Sequence, residues 1–231
     1  MIGVLRAAWH IARKDFTIEA RSREIIATAA FFAVACVLVF GFSLVTEGRA
    51  PEGVAAGVLW IGIAFSGTLS LGRLFERERA HDTLRTLLLA PIERPAVYLG
   101  KLLGVIMLMS AVGALLLPFT GFLFDQAVIR SFPGLAAVIL LGITGYAAVG
   151  TLFAAMLGRS RSRDVLLPVL LYPMAVPVLI AGVRATAALL EPAAAGGPDW
   201  DTARLWMGVL AAFDAVFVTL ALWTFEAVME E

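Results

Sequence analysis

Six apolar runs in this 231-residue sequence are each long enough to cross a lipid bilayer, and they limit the fold more than any other feature. A hydrocarbon core takes roughly 20 helical residues, and a spanning backbone must satisfy its own hydrogen bonds. The composition agrees, because 61% of the residues are apolar and 16% are charged. The runs cover residues 25–45, about 53–75, 102–124, 132–157, 165 to about 190, and 205–225. The sequence therefore predicts an all-α integral membrane protein: one transmembrane domain over 1–231, with a six-span bundle in 25–228.

Lysine and arginine are distributed unevenly between the segments that join these runs. Five precede the first run, six lie between the second and third runs, and three lie between the fourth and fifth. The segments on the opposite side hold only four. Because basic residues favour the cytoplasmic side, both termini and residues 76–101 are predicted to be cytoplasmic. The first run has span length and starts at residue 25, so we expect no cleaved signal peptide. A short chain without a large soluble domain favours a multi-pass protein of the bacterial inner membrane.

Residues 1–24 are polar but patterned, and they predict an interfacial amphipathic helix. Leu5, Trp9, Ala12 and Phe16 recur at helical spacing and form one apolar face. The remaining faces carry cations and a histidine: Arg6, His10, Arg13, Lys14 and Arg21. Such a helix lies along the membrane surface with its cations near the lipid phosphates. Two interpretations remain, a simple anchor that sets topology and a lever that contacts a cytoplasmic partner.

The polar segment 76–101, between the second and third runs, contains a short helix pattern. Asp82 can cap a helix start, and Leu84, Leu87 and Leu88 then lie on one face until Pro91 ends the helix. A helix of two to three turns is marginal in water, so its apolar face needs a surface to pack on. Either a groove on a soluble partner or the membrane interface would serve. The candidate docking residues are Glu76, Arg77, Glu78, Asp82, Leu84, Arg85, Leu87, Leu88 and Pro91.

The fifth run contains three prolines, Pro168, Pro173 and Pro177. Each removes a backbone donor and disfavours helix in the residue before it. We therefore expect this element to be kinked or broken, with an end near Gly182 and a short external helix over 184–191. The prolines serve either as a packing kink or as a deformable element that moves during transport.

Asp214 lies near the middle of the sixth run, where a carboxylate is costly and usually marks a polar partner or a pathway. We expect it to be protonated, or hydrogen-bonded to Thr144, Tyr146, Thr151 or another subunit. Either structural or pathway roles fit this position.

Glycine spacing in the runs permits close helix packing, although such spacing arises readily by chance in Gly-rich apolar sequence. Gly53 and Gly57, and again Gly100 and Gly104, are four residues apart, a spacing that lets membrane helices approach closely. Further glycines follow one another through the fourth run at positions 142, 145 and 150.

The sequence carries no motif for chemistry of its own. It has no G-x-x-x-x-G-K-[ST] phosphate-binding loop, no metal-ligand spacing and no nucleophile elbow. The single cysteine, Cys36, lies inside an apolar run, and the net charge of zero indicates no attraction to nucleic acid. We therefore expect no catalytic, metal or cofactor site, and energy for any transport must come from a partner.

Two stretches resemble a known family. GVLWIGIAFSGTLSLGRLFERERAHDTLRTLLLAPIERPAVYLGKLL (57–103) resembles the ABC-2-type permeases. LLPVLLYPMAVPVLIAGVRA (166–185), together with the chain length, is similar to the heme exporter protein B family of the bacterial cytochrome c maturation system. The resemblance implies that the segment after the second span is a coupling helix that docks on a separate ATP-binding subunit.

The same resemblance implies further partners: a second copy of this subunit and a heme-handling membrane protein of the same system. It implies that ATP hydrolysis serves heme export or the release of a heme-loaded chaperone, with ATP bound by the partner and heme as a cargo of the system. The spans themselves contain no histidine as an axial ligand. The alternatives are an ABC-2 permease for a lipid or drug, and a membrane scaffold that transports nothing.

Overall fold

The computed structural model describes residues 2–44, 51–74, 94–124, 128–157, 160, 162–190 and 197–228. In these ranges the chain forms seven α-helices and no strand. The helices are α1 (Ile2–Ser22), α2 (Glu24–Leu44), α3 (Val54–Leu74), α4 (Arg94–Leu123), α5 (Phe132–Met156), α6 (Arg163–Leu190) and α7 (Trp200–Val228), with a 3-10 turn at Val128–Ser131. Helices α2 to α7 are long and apolar enough to cross a membrane, which confirms the predicted all-α, six-span fold. Helix α1 is the predicted N-terminal helix.

Helices α3 and α5 form the centre of the bundle. In each of their spans 67% of the residues are buried, against 11% in the span of α7. Helix α3 contacts α2, α4, α5 and α6, and α5 contacts α4, α6 and α7. Helix α1 packs mainly on α4. The outer helices therefore bury one face each and leave the other to lipid or to another chain.

Helix α4 begins at Arg94, well before the predicted start of the third span at Leu102. Pro95 is tolerated because the first turn of a helix leaves its N–H groups unbonded in any case. With 30 residues, α4 is about 45 Å long, which exceeds the roughly 30 Å of a hydrocarbon core. Helix α4 is therefore longer than a straight span requires, and a tilt in the bilayer accommodates such a length.

Trp60 of α3 joins the centre of the bundle to α5 and α6. Its indole is buried, and its Nε1 donates a hydrogen bond to Thr186 Oγ1 at 2.9 Å. A Cβ placed on Gly142 of α5 would lie 2.1 Å from this ring, and one placed on Gly182 of α6 would lie 2.5 Å from it. Both glycines therefore provide the space that the large side chain occupies.

Helix α6 runs unbroken from Arg163 to Leu190, through all three prolines. The predicted end near Gly182, with a separate external helix after it, is wrong. Gly182 is a packing position against Trp60 rather than a helix stop. Pro173 and Pro177 lie on the exposed face of α6. Membrane helices tolerate such interruptions of the hydrogen-bond ladder where local contacts compensate.

Candidate coupling site at the bases of helices α3 and α4

The nine predicted docking residues lie outside the described part of the chain. They are Glu76, Arg77, Glu78, Asp82, Leu84, Arg85, Leu87, Leu88 and Pro91, all within residues 75–93. Their docking role stays a prediction. We call residues 75–93 the docking segment. The structure describes the two helix ends that it joins, Leu74 of α3 and Arg94 of α4, and the contacts that hold these ends.

The base of α4 is held by an ion pair with α1. Lys101 is only 2% exposed, and its Nζ lies 2.8 Å from Asp15 Oδ2. The other oxygen of Asp15 lies 2.9 Å from Lys14 Nζ. Because a buried ammonium without a counter-charge is strongly destabilising, this pair ties the third turn of α4 to α1. In the sequence, Lys101 contributes to the charge bias that sets topology, and the only signal for Asp15 is a carboxylate that directly follows Arg13 and Lys14.

Close backbone packing reinforces this junction. A Cβ placed on Gly100 would lie 2.7 Å from Ile11 Cβ and 3.0 Å from the carbonyl oxygen of Ala8. At Gly104 the nearest such neighbour, Asp15 Cβ, would be 3.9 Å away. The predicted close contact at this glycine pair is therefore confirmed, and Gly100 carries most of it.

The other predicted glycine pair behaves differently. Gly53 precedes α3 with a φ of +78°, which suits a turn, and a Cβ on Gly57 would meet nothing within 4 Å in the described structure. The close packing that this spacing permits is therefore absent from the described structure at Gly53 and Gly57.

Helix α1 has two apolar faces rather than one. The predicted face holds Leu5 and Trp9, which are exposed and therefore free to contact lipid. A second face, with Ala8 and Ile11, is buried against α4. Ala12 lies at the boundary and is fully buried. The second face was missed because alanine gives a weak amphipathic signal.

A buried carboxylate joins α1 to α2. Glu19 is 1% exposed and accepts a hydrogen bond from the backbone N–H of Ile26 at 3.0 Å. Arg23, between the two helices, has a φ of +54°, and its N–H bonds to the Glu19 carbonyl oxygen. Glu19 therefore satisfies one of the free N–H groups at the start of α2. Helix α1 is thus fixed to both α2 and α4.

The base of α3 is held by an arginine from α6. Arg163 is buried, and its Nη2 donates a hydrogen bond to the Leu71 carbonyl oxygen at 2.8 Å. The last four carbonyls of a helix have no partner within it, and Leu71 supplies one of these in α3. Gly150 of α5 makes room for the Leu71 side chain, since a Cβ there would lie 2.2 Å from it. In the sequence, Arg163 is recognisable only as one of the basic residues that set topology.

A tyrosine adds a further link between α4 and its neighbours near the same end. The hydroxyl of Tyr98 donates to the Ala148 carbonyl oxygen of α5 at 3.0 Å, and its ring packs against Phe225 of α7 at 5.3 Å. The start of α4 is thus attached to α1, α5 and α7 together.

Deeper in the bundle, three hydroxyl groups form a polar cluster between α3, α5 and α6. Thr68 Oγ1 lies 2.8 Å from the Tyr146 hydroxyl and 3.3 Å from that of Tyr172. Tyr146 also donates to the Ala64 carbonyl oxygen at 3.0 Å. These bonds satisfy groups that would be costly to leave unpaired in an apolar layer.

Asp214 is not bonded to the partners predicted for it. Tyr146 is engaged in the cluster above, and Thr144 bonds to its own helix at the Leu140 carbonyl. Thr151 Oγ1 and Asp214 Oδ1 are both buried without a hydrogen-bond partner among the described residues. Of the alternatives given for Asp214, the bonds to Thr144, Tyr146 and Thr151 are absent from the described structure, whereas protonation and a bond to another subunit stay predictions. The reason is geometric: a Cβ on Gly145 would lie 2.6 Å from Asp214 Oδ1, so the carboxyl faces the α5 backbone.

Comparison with known proteins gives one consistent result. Residues 6–231 match the family model described as CcmB protein. The chain is 31% identical to heme exporter protein B of Paracoccus denitrificans (strain Pd 1222) over 198 residues, covering 86% of this chain and 85% of the relative. It is 25% identical to heme exporter protein B of Pseudomonas aeruginosa over 219 residues, 92% of each chain. The protein of the same name from Rhodobacter capsulatus is 31% identical over 155 residues, 67% of this chain and 70% of the relative.

Proposed function

This chain belongs to the CcmB protein family, and on that premise we propose that it is the membrane permease subunit of an ABC exporter for cytochrome c maturation. Relatives that match most of the chain are named heme exporter protein B, and the six spans fit a permease. The chain has no phosphate-binding loop, so ATP is bound and hydrolysed by a separate subunit.

The ATP-binding subunit docks on residues 75–93. One observation carries this assignment: the segment joins α3 to α4, whose spans are 67% and 50% buried in the bundle. A force applied there reaches the centre of the bundle directly. The leucine face of the docking segment, with Leu87 and Leu88, suits a groove on a soluble protein.

The same assignment fixes the orientation. The docking segment, both termini and α1 face the cytoplasm, in agreement with the bias of Lys and Arg toward these segments. The proposed location is the bacterial inner membrane, where ATP is available on the cytoplasmic side. Leu5 and Trp9 then lie in the lipid interface with the cations of α1.

Heme is the cargo of the system, handled chiefly by a partner membrane protein. The two histidines, His10 and His81, both lie outside the six spans, so the bundle offers no imidazole to ligate heme iron. We therefore propose that this subunit transmits ATP-driven movement that releases a heme-loaded chaperone. A second copy of the chain completes the permease, and the weakly buried spans of α2 and α7 leave faces available for it.

The docking role is tested by charge substitution on the leucine face. Leu87→Glu with Leu88→Glu should let the chain insert and accumulate but lower the yield of c-type cytochromes, since a charged face cannot enter an apolar groove. The control is Ile129→Glu, which places the same charge on a side chain that is 93% exposed at the opposite end of the bundle. Normal cytochrome yield in the double variant would refute the docking assignment.

Two measurements distinguish the proposed function from its two alternatives, a permease for a lipid or drug and a scaffold that transports nothing. Deletion of the gene should abolish c-type cytochromes, whereas a lipid or drug permease would leave them intact. Purification in mild detergent should recover an ATP-binding subunit, whereas a scaffold would be recovered without one.

A further inference from the structure

The two helix ends that carry the docking segment are each held by a buried charged side chain. The ends of a helix open at lower free energy than its middle, because up to four backbone groups lack helical partners there. A displacement applied to residues 75–93 would be absorbed by unwinding of α3 and α4 unless their ends were fixed. The contacts at these ends therefore decide how much movement reaches the bundle.

On α4, the fixing contact is the pair between Lys101 and Asp15. Lys101 lies about 10 Å along the helix from Arg94, at the level where α1 crosses. The 2.8 Å contact is buried, and the close approach at Gly100 leaves no space between the two helices. Helices α1 and α4 are thus joined by charge and by packing at the same place.

On α3, the fixing contact is the hydrogen bond from Arg163 to the Leu71 carbonyl. It joins the last turn of α3 to the first residue of α6. A charged donor on a helix carboxyl end is favoured both by the free carbonyl and by the helix dipole. Leu71 itself is held in the space left by Gly150. Helices α3 and α6 are thus joined where the docking segment begins.

We propose that Asp15, Lys101 and Arg163 are positioning residues that pass the displacement of the docking segment to two rigid pairs, α1 with α4 and α3 with α6. This inference rests on the proposed function. On this proposal, α1 acts as a lever that moves together with α4. Helix α6 moves together with α3. A merely structural role for these residues would affect how much complex assembles but not what each assembled complex does.

The test uses the assembled complex with Asp15→Asn, Lys101→Met and Arg163→Met, each made singly. ATP hydrolysis and cytochrome yield are both measured per assembled complex. We expect ATP hydrolysis to persist while cytochrome yield per ATP falls by about tenfold, a size typical of coupling between sites. Asp15→Glu and Arg163→Lys keep the charge and should restore most of the coupling.

A matched control exists at the other end of the bundle. Arg204 and Asp201 form an exposed pair at 3.5 Å, so Arg204→Met and Asp201→Asn repeat the same substitutions without a buried contact. Both should leave cytochrome yield per ATP unchanged. Where a single variant assembles poorly, Asp15→Asn with Lys101→Met removes both charges together and avoids an unpaired buried charge.

Three outcomes decide the matter. Lower cytochrome yield per ATP in the double variant supports the proposal. An unchanged yield per ATP, with only lower abundance, would overturn it. If Leu87→Glu with Leu88→Glu also fails to uncouple the two activities, the proposed function itself is contradicted, and the two failures are thereby distinguished.

Discussion

At the scale of single residues, the glycines of α5 are defined by what fills the space beside them. Gly142 faces Trp60, Gly145 faces the carboxyl of Asp214, and Gly150 faces Leu71. The sequence predicted close contacts along this run. It could not predict the side chains involved, because they come from helices far away in the chain and depend on the relative rotation of those helices.

Gly142→Ala adds only one methyl group, but it should destabilise the protein strongly. The added Cβ would lie 2.1 Å from the Trp60 ring, and such overpacking typically costs about 1–3 kcal/mol. The measurement is the thermal unfolding midpoint in detergent. Gly57→Ala is the control, since its Cβ would meet nothing within 4 Å among the described residues. Equal midpoints for the two variants would show that the packing around Trp60 is wrong.

Asp199 gives a prediction about pH outside the membrane spans. It precedes α7, and its Oδ1 accepts the Thr202 N–H at 3.1 Å. Hydrogen bonds from the Thr202 side chain, and next from its backbone, lower the pKa of Asp199 below its ordinary value of 3.8. Because the folded-state pKa is lowered, the ionised cap stabilises the folded state at neutral pH. That contribution decreases as the pH falls below the ordinary value and is lost below the folded-state pKa.

The midpoint of Asp199→Ala should therefore lie below that of the unsubstituted protein at neutral pH, and the difference should shrink under acid conditions. Thermal scans of both proteins from neutral pH to about pH 3 measure this, a range that spans the usual titration of aspartate. A difference that grows on acidification would contradict the assigned cap.

At the scale of elements, α6 is a continuous helix although its three prolines favour a kink or a break. Proline chemistry is local, whereas the continuity of α6 depends on tertiary contacts along its buried face, including the one between Gly182 and Trp60. The hinge role of Pro168, Pro173 and Pro177 stays a prediction, as does a functional role for Asp214.

Pro173→Ala tests that hinge role. It supplies an N–H for the helical ladder on an exposed face, so the unfolding midpoint should stay the same or rise. If α6 bends during transport, cytochrome yield per ATP should nevertheless fall, because the stiffer helix resists bending. Met174→Ala, on a neighbouring exposed position, is the control. An unchanged yield in Pro173→Ala would exclude this proline as a hinge.

Helix α1 was predicted as an interfacial helix, and its exposed face agrees with that prediction. Its second face against α4 rests on small residues that hydrophobic periodicity weighs little. Gly100→Val should therefore separate α1 from α4, since even a Cβ there would lie 2.7 Å from Ile11. Gly104→Ala should not, because the corresponding distance is 3.9 Å.

Maleimide labelling can report this separation. A cysteine at the fully buried position of Ala12, with Cys36→Ser to remove the native thiol, should label slowly in the parent and faster with Gly100→Val. The same cysteine should label slowly with Gly104→Ala. Equal labelling in all three proteins would contradict the packing of α1 on α4.

At the scale of the whole molecule, the number of spans, the all-α class and the family were all predictable from the sequence and are confirmed. Span length and polarity are fixed by the thickness and dryness of the bilayer, so local sequence determines them. The pair between Asp15 and Lys101 was not predictable. It joins residues that are far apart in the chain, and only the folded arrangement brings them together.

The central claim is that residues 75–93 bind the ATP-binding subunit of an exporter. Photocrosslinking in membranes tests it most directly, with a photoreactive residue placed at Leu88 or, as control, at the exposed Ile129. The account predicts a crosslink from position 88 to an ATP-binding protein, identified by mass spectrometry, and none from position 129. Crosslinks from position 88 to lipid alone, with the ATP-binding subunit present in the membranes, would contradict it.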